Sequence, residues 1–153
     1  MYHMSDNRGG NHWLESYVPY LFYTITGQHN RNLRKRLKQS GINIARWRVL
    51  AVLKDHGRMN IGQIVERTII EQPTVSRIVD QLEREGLASR ETCDKDSRFV
   101  QVSLSKTGEQ AFKEIYPSAI KHQEHALRGF SSRETRTLID FLERIQNNIR
   151  SDN

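Results

Sequence analysis

Between Pro73 and Gly86 the chain carries Val75, Ile78, Val79 and Leu82 at i, i+3, i+4 and i+7. That spacing puts four apolar side chains on one stripe of an α-helix. Gln72-Pro73 is a good start for it, because proline in the first turn sacrifices no helical hydrogen bond, and Gly86 is placed to end it. The period then changes at once. Val100, Val102 and Leu104 alternate with Phe99, Gln101 and Ser103, which reads as a β-strand. Leu87 to Thr92 is its natural antiparallel partner, and Cys93 to Ser97 is a charged hairpin loop. An amphipathic helix running straight into a two-stranded hairpin excludes most all-α and α/β arrangements.

The flanking segments are helical. Leu14, Tyr17, Val18, Leu21 and Ile25 share one face of a first helix, which tolerates Pro19 near its start, continues to Lys38 and stops at Ser40-Gly41. Ile44 to Asp55 is apolar round much of its circumference, as expected of a helix sandwiched between others, and His56-Gly57 stops it. Asn60 and Gln63 form a capping box for a short helix with Ile61, Ile64 and Val65 buried; its pattern lapses over Thr68 to Glu71. Ser105 is the expected N-cap of a helix carrying Ala111, Phe112 and Ile115, which Pro117 should kink or break. Ser131 and Glu134 box the start of a last helix, whose stripe is Leu138, Phe141, Leu142, Ile145 and Ile149. The terminal helices expose more apolar surface than one small domain needs, and helices from a second copy are the expected cover.

Charge narrows the partner. The 153 residues carry 24 Lys and Arg against 18 Asp and Glu, a net +6. The excess is uneven: Ser16 to Lys54 has no acidic residue, yet holds Arg31, Arg34, Lys35, Arg36, Lys38, Arg46, Arg48 and Lys54. Such asymmetry suits a polyanion. No run approaches the ~20 apolar residues of a membrane span, and the polar first eleven residues show no signal-peptide pattern. The single Cys93 excludes an intrachain disulfide, so the expected setting is the reducing cytoplasm.

Burying Val75, Ile78, Val79 and Leu82 turns Gln72, Thr74, Ser76 and Arg77 outward at the N-terminal end of their helix. Glutamine can pair with adenine, arginine with guanine and hydroxyls with either, and a helix N-terminus favours a phosphate. The alternative is an ordinary amphipathic helix with a solvated polar face. Together, the helices at Asn60–Arg67 and Gln72–Glu85 make a helix-turn-helix whose second member reads the major groove. The hairpin behaves as a wing, with Lys95 and Arg98 able to reach a flanking minor groove and Asp96 pairing with an arginine to hold its shape.

The stretch Thr74-Val-Ser-Arg-Ile-Val-Asp-Gln-Leu-Glu-Arg-Glu-Gly-Leu87, followed by Arg90, Asp96-Ser-Arg98 and Leu104-Ser105-Lys-Thr-Gly108, resembles the multiple-antibiotic-resistance regulator (MarR) family. In that family a Leu-Glu-x-x-Gly-Leu helix end precedes Asp-x-Arg and then Leu-Thr, for which this chain has Leu104-Ser105. The resemblance covers nearly the whole chain. It implies a mostly α fold with a small β-wing: one domain over residues 1–153, with a winged helix-turn-helix lobe at 42–105 and dimerisation helices at 12–39 and 106–150. It further implies a homodimer on a pseudo-palindromic duplex, contacting DNA through Gln72, Pro73, Thr74, Ser76, Arg77, Lys95 and Arg98, with Arg90 and Asp96 steadying the wing. A small ligand or an oxidant would shift the spacing of the two reading helices and release the DNA; aromatic walls with an arginine suit an aromatic acid, its thioester or a phenolic compound. By place in the family, the ligand's contacts would be Tyr17, Tyr23, His29, Arg46 and Trp47; the alternative makes Trp47 core and leaves Arg46 to phosphate or solvent.

Other chemistry has weaker support. Asp94 beside Cys93 disfavours a reactive thiolate. His122 and His125 have a chelating spacing, but without a further local ligand they read as a solvated pair, and no metal or cofactor is expected. No phosphate loop, nucleophile elbow or metalloprotease motif argues for an enzyme. The remaining rival is an architectural protein that binds DNA without sequence preference.

Overall fold

The computed structural model describes residues 13–93 and 96–151, with side chains over 93–99 left aside. A short 3₁₀ turn at Trp13–Ser16 leads into α1 (Val18–Lys38), α2 (Ile44–His56), α3 (Ile61–Thr68) and α4 (Gln72–Arg84). An antiparallel hairpin of β1 (Ala88–Cys93) and β2 (Asp96–Leu104) follows, then α5 (Lys106–Ala126) and α6 (Ser132–Ser151). The architecture is mostly helical with a two-stranded wing, as the change of period requires.

Local chemistry sets the helix starts. Asn43 Oδ1 accepts from the Arg46 amide at 2.8 Å and caps α2. Asn60 and Gln63 exchange hydrogen bonds at 2.9 Å, a complete capping box on α3. Ser131 and Glu134 do the same for α6. These contacts satisfy amides that have no partner within the helix.

The core lies where α2, α3, α4 and the base of the hairpin converge. Val49, Leu50 and Leu53 of α2 meet Ile64 of α3, the Val75–Ile78–Val79–Leu82 stripe of α4 and Val102 of β2. Leu33 and Leu37 close it from α1 and Ile115 from α5. Met59 and Val102 exchange backbone hydrogen bonds at 3.0 and 2.8 Å, so the α2–α3 turn acts as a third strand at the wing's base. No described helix is long and apolar enough to cross a membrane.

Three expectations need correction. The hairpin is tighter than a Cys93–Ser97 loop, because Cys93 pairs with Asp96 across a register shift at Thr92/Cys93; backbone pairing needs no apolar side chains, so alternation underestimates a polar strand. Pro117 does not break α5, which is continuous from Lys106 to Ala126. Pro117 faces solvent, where water can satisfy the carbonyl it leaves free, while buried Ile115 and His122 anchor the helix on either side. The first helical segment is also divided, a 3₁₀ turn preceding α1, with Pro19 in the first turn of α1.

The start of α5 is fixed by close approach. Ser105 Oγ donates to the Gly86 carbonyl at 2.6 Å and accepts from the Gly108 amide at 3.0 Å. The Ser105 amide donates to the Leu87 carbonyl at 3.0 Å. A Cβ on Gly108 would stand 1.9 Å from that carbonyl oxygen. Gly108→Ala should therefore cost about 3 kcal/mol, the upper end of overpacking; a denaturant midpoint within error of wild type would show that the helix start can move aside.

Candidate nucleic-acid interface

The recognition helix is held in rotation by its apolar stripe. Val75, Val79 and Leu82 are fully buried and Ile78 nearly so. Gln72, Pro73 and Arg77 are exposed in consequence, and Thr74 and Ser76 are partly exposed. The groups that sequence reasoning assigned to base edges therefore share the outer face of the first turns of α4. Ile69, in the turn before it, holds a left-handed conformation at φ 53° and is 88% exposed.

The wing is tied to this helix by an arginine. Arg90 of β1 donates to Asp80 at 2.5 Å and to Glu83 at 2.7 Å, both on α4. Burial pulls the guanidinium's pKa down, but the two charge-assisted bonds outweigh it and the net shift is upward. Arg90 was expected to steady the wing, and its partners here belong to the recognition helix, a connection that hairpin spacing alone does not reveal. Lys95 lies outside the described residues, as do the side chains of Cys93, Asp96 and Arg98.

At the far end of α4, Glu85 receives both terminal nitrogens of Arg46 from α2. The Arg46 hydrogen bonds hold its carboxyl below the usual glutamate range. Arg46 Nε is buried without a partner. This pair lines a cavity of about 650 Å³ between the α1–α2 turn, α4 and α5. A second cavity, of about 550 Å³, lies between α1, the start of α2 and the face of α4 bearing Thr74, Arg77 and Gln81.

The comparisons with known proteins agree on one lineage. Residues 40–98 match the model of the MarR family. A MarR-family transcriptional regulator from Silicibacter pomeroyi is 32% identical, with 89% of this chain and 92% of that one covered at a TM-score of 0.82. The chain belongs to the MarR family of transcriptional regulators. The HTH-type transcriptional repressor IacR of Pseudomonas putida is 24% identical over 135 residues, which cover 88% of this chain and 81% of IacR. Bordetella bronchiseptica BpsR, whose DNA binding is regulated by 6-hydroxynicotinic acid, shares the fold at a TM-score of 0.74 and 23% identity, with 84% of this chain and 98% of that one covered.

In this MarR-family chain Arg46 lines the first of these two cavities, and Tyr17, Tyr23, His29 and Trp47 line neither. Tyr17 packs against Trp13 with ring centres 5.2 Å apart and the planes tilted by 54°, and Tyr23 is 76% exposed on α1. Trp47 stacks flat on Phe112 of α5 at 5.2 Å, and Tyr116 extends the row. Arg46 is committed to Glu85, not to phosphate or solvent. His29 meets His122 of α5, ring centres 4.2 Å apart, and His122 Nε2 donates to the His29 carbonyl at 3.1 Å.

His122 and His125 are thus not a solvated pair. His122 is 4% exposed, whereas His125 faces outward and bonds Arg128 at 2.7 Å. Their spacing along α5 could not show that α1 supplies a third histidine to the inner one. No group of three or more metal-ligating side chains is present among the described residues.

Removing Arg90 should loosen the wing. Arg90→Ala should cost about 1–2 kcal/mol after solvent screening and speed amide exchange across β1 and β2; unchanged exchange there would mean that the backbone ladder alone holds the wing. His29 gives a pH dependence. Burial, then His122 and Arg48, lower the pKa of His29 from its ordinary 6.5. The unfolded chain therefore takes up a proton near pH 6.5 that the folded chain refuses until lower pH. This contribution should make stability fall as pH drops below about 6.5, levelling off below the folded pKa. The melting-temperature difference between pH 7.5 and 5.5 should shrink in His29→Gln; an equal difference in both proteins would remove His29 as its source.

Proposed function

We propose that this MarR-family regulator is a homodimeric repressor, acting in the cytoplasm, which reads a pseudo-palindromic duplex and is released by a small aromatic acid or its thioester. The observation that carries the proposal is the α4 surface. Gln72, Pro73, Thr74, Ser76 and Arg77 form an outward polar face on a helix whose rotation is fixed by burial and whose wing is bound to it through Arg90. Direct readout needs such rigidity, because base-edge hydrogen bonds tolerate little misplacement. Lys95 and Arg98 would add wing contacts to a flanking groove, with Asp96 shaping the tip.

Dimerisation is supported by the helices that leave apolar surface open. The last helix, α6, buries no residue and exposes Ile139, Phe141, Leu142 and Ile149. Val18, Leu21 and Ile25 of α1 are exposed as well. A second copy is the natural cover, and its symmetry would present two α4 helices to a two-fold site.

The effector is the least constrained part. Trp47 and His29, facing α5 beside Phe112, offer an aromatic wall between the terminal helices and the reading lobe. Tyr17 and Tyr23 would join it only with movement or from the second subunit. Arg46 would meet the same ligand only by giving up Glu85. Release then rests on differential affinity: the effector must bind the arrangement that cannot dock on DNA more tightly than the one that can.

Titration of a labelled pseudo-palindrome against competitor DNA tests this reading. Wild type should select the site by far more than about tenfold at physiological salt. Arg77→Ala should lose about 1–3 kcal/mol of discrimination at one base step per half-site. Selection below tenfold by the wild type would favour the architectural alternative.

A further inference from the structure

The acid-free basic run from Ser16 to Lys54 does not scatter when the chain folds. Arg34 of α1 and Arg48 of α2 arrive at the cavity that also receives Arg77 of the recognition helix. Three arginines from three helices thus line one open groove, and among the described residues no acidic residue lines it. Arg46, Arg58 and Arg90, by contrast, each take a carboxylate partner. Among the described residues Arg48 bonds the neutral Asn30 Oδ1, at 3.3 Å, while Arg34 and Arg77 stay exposed. The rest of the lining adds donors: Thr74 and Gln81 from α4, and the first turn of α2 at Asn43, Ile44 and Ala45, the positive end of that helix.

We propose that this groove binds a phosphate group, and that Arg34 and Arg48 clamp the phosphate backbone beside the base that Arg77 reads. The inference rests on the DNA-reading role of α4 argued above. Arginines converging from different elements suit a phosphate, whose oxygens accept from several directions at once, better than a planar carboxylate. Arg34 and Arg48 stand beside Thr74 and Arg77, where a strand bordering the groove would pass, and such contacts set register without reading sequence. The same chemistry would also accept a small phosphorylated compound, which would then compete with DNA for Arg77.

The test compares wild type with Arg34→Gln/Arg48→Gln and with Arg34→Lys/Arg48→Lys. Duplex affinity is measured from about 50 to 200 mM salt. In the Gln variant the log–log salt slope should become shallower by about 1.8 per protomer, or about 3.6 for a dimer on both half-sites, at about 0.9 for each lost phosphate contact. The Lys variant should keep the wild-type slope, which separates lost charge from lost folding. In a second arm, pyrophosphate is added without DNA and the melting temperature is followed. An unchanged slope together with pyrophosphate stabilisation of the wild type, but not of the Gln variant, would assign the groove to a free phosphate compound. An unchanged slope without such stabilisation overturns the clamp. The regulator reading fails differently, through a wild type that binds duplexes without sequence preference, and the slope comparison remains readable in that case.

Discussion

The reading helix and the wing are joined where the turn after α4 is hydrogen-bonded to the start of α5. Ser105 bridges the Gly86 carbonyl and the Gly108 amide, and its own amide returns to the Leu87 carbonyl. The hairpin leaves and re-enters the core at this knot, so its base cannot shift without disturbing the cap of α5. Arg90 adds a second tie farther out, from β1 to the solvent side of α4. With the buried stripe beneath, α4 is held from the core, the wing and its own C-terminal end. A polar face on a helix so fixed can act as a template and not merely as solvated surface.

Charge is distributed with the same economy. Carboxylates sit where elements must be joined: Asp80 and Glu83 of α4 on Arg90 of β1, Glu85 on Arg46 of α2, Glu109 of α5 on Lys54 of α2. They are absent from the lining of the groove shared by Arg34, Arg48 and Arg77. A net charge of +6 understates this, since near-surface potential depends on which cations lack a nearby anion. The apolar surface is divided as clearly. The reading lobe closes its own core, while α6 and the first half of α1 hold theirs open.

The helices, their caps and the wing were legible because each rests on local rules. Periodicity placed α2 to α4, and the boxes at Asn60–Gln63 and Ser131–Glu134 needed only neighbours three residues apart. The outward set on α4 followed from geometry once its stripe was seen. Less legible was everything that depended on which elements meet. Arg90 was expected to steady the wing and does so through the helix, on Asp80 and Glu83; Arg46 was offered to an effector and holds Glu85. His122 was grouped with His125 along α5, but is buried against His29, 93 residues away in sequence. Pro117 was read as a break because local rules assume a buried helix interior, whereas its own side faces water.

The sequence by itself determined the order of elements, the rotation of the reading helix and the excess of arginine in the first third of the chain, since these follow from spacing and composition. Only the tertiary structure decided which arginines find carboxylates and which, among the described residues, converge on one groove without one. The physical reason is that helix periodicity fixes where a side chain points relative to its own axis, while the partner it meets is set by how axes pack, over separations that no local pattern encodes.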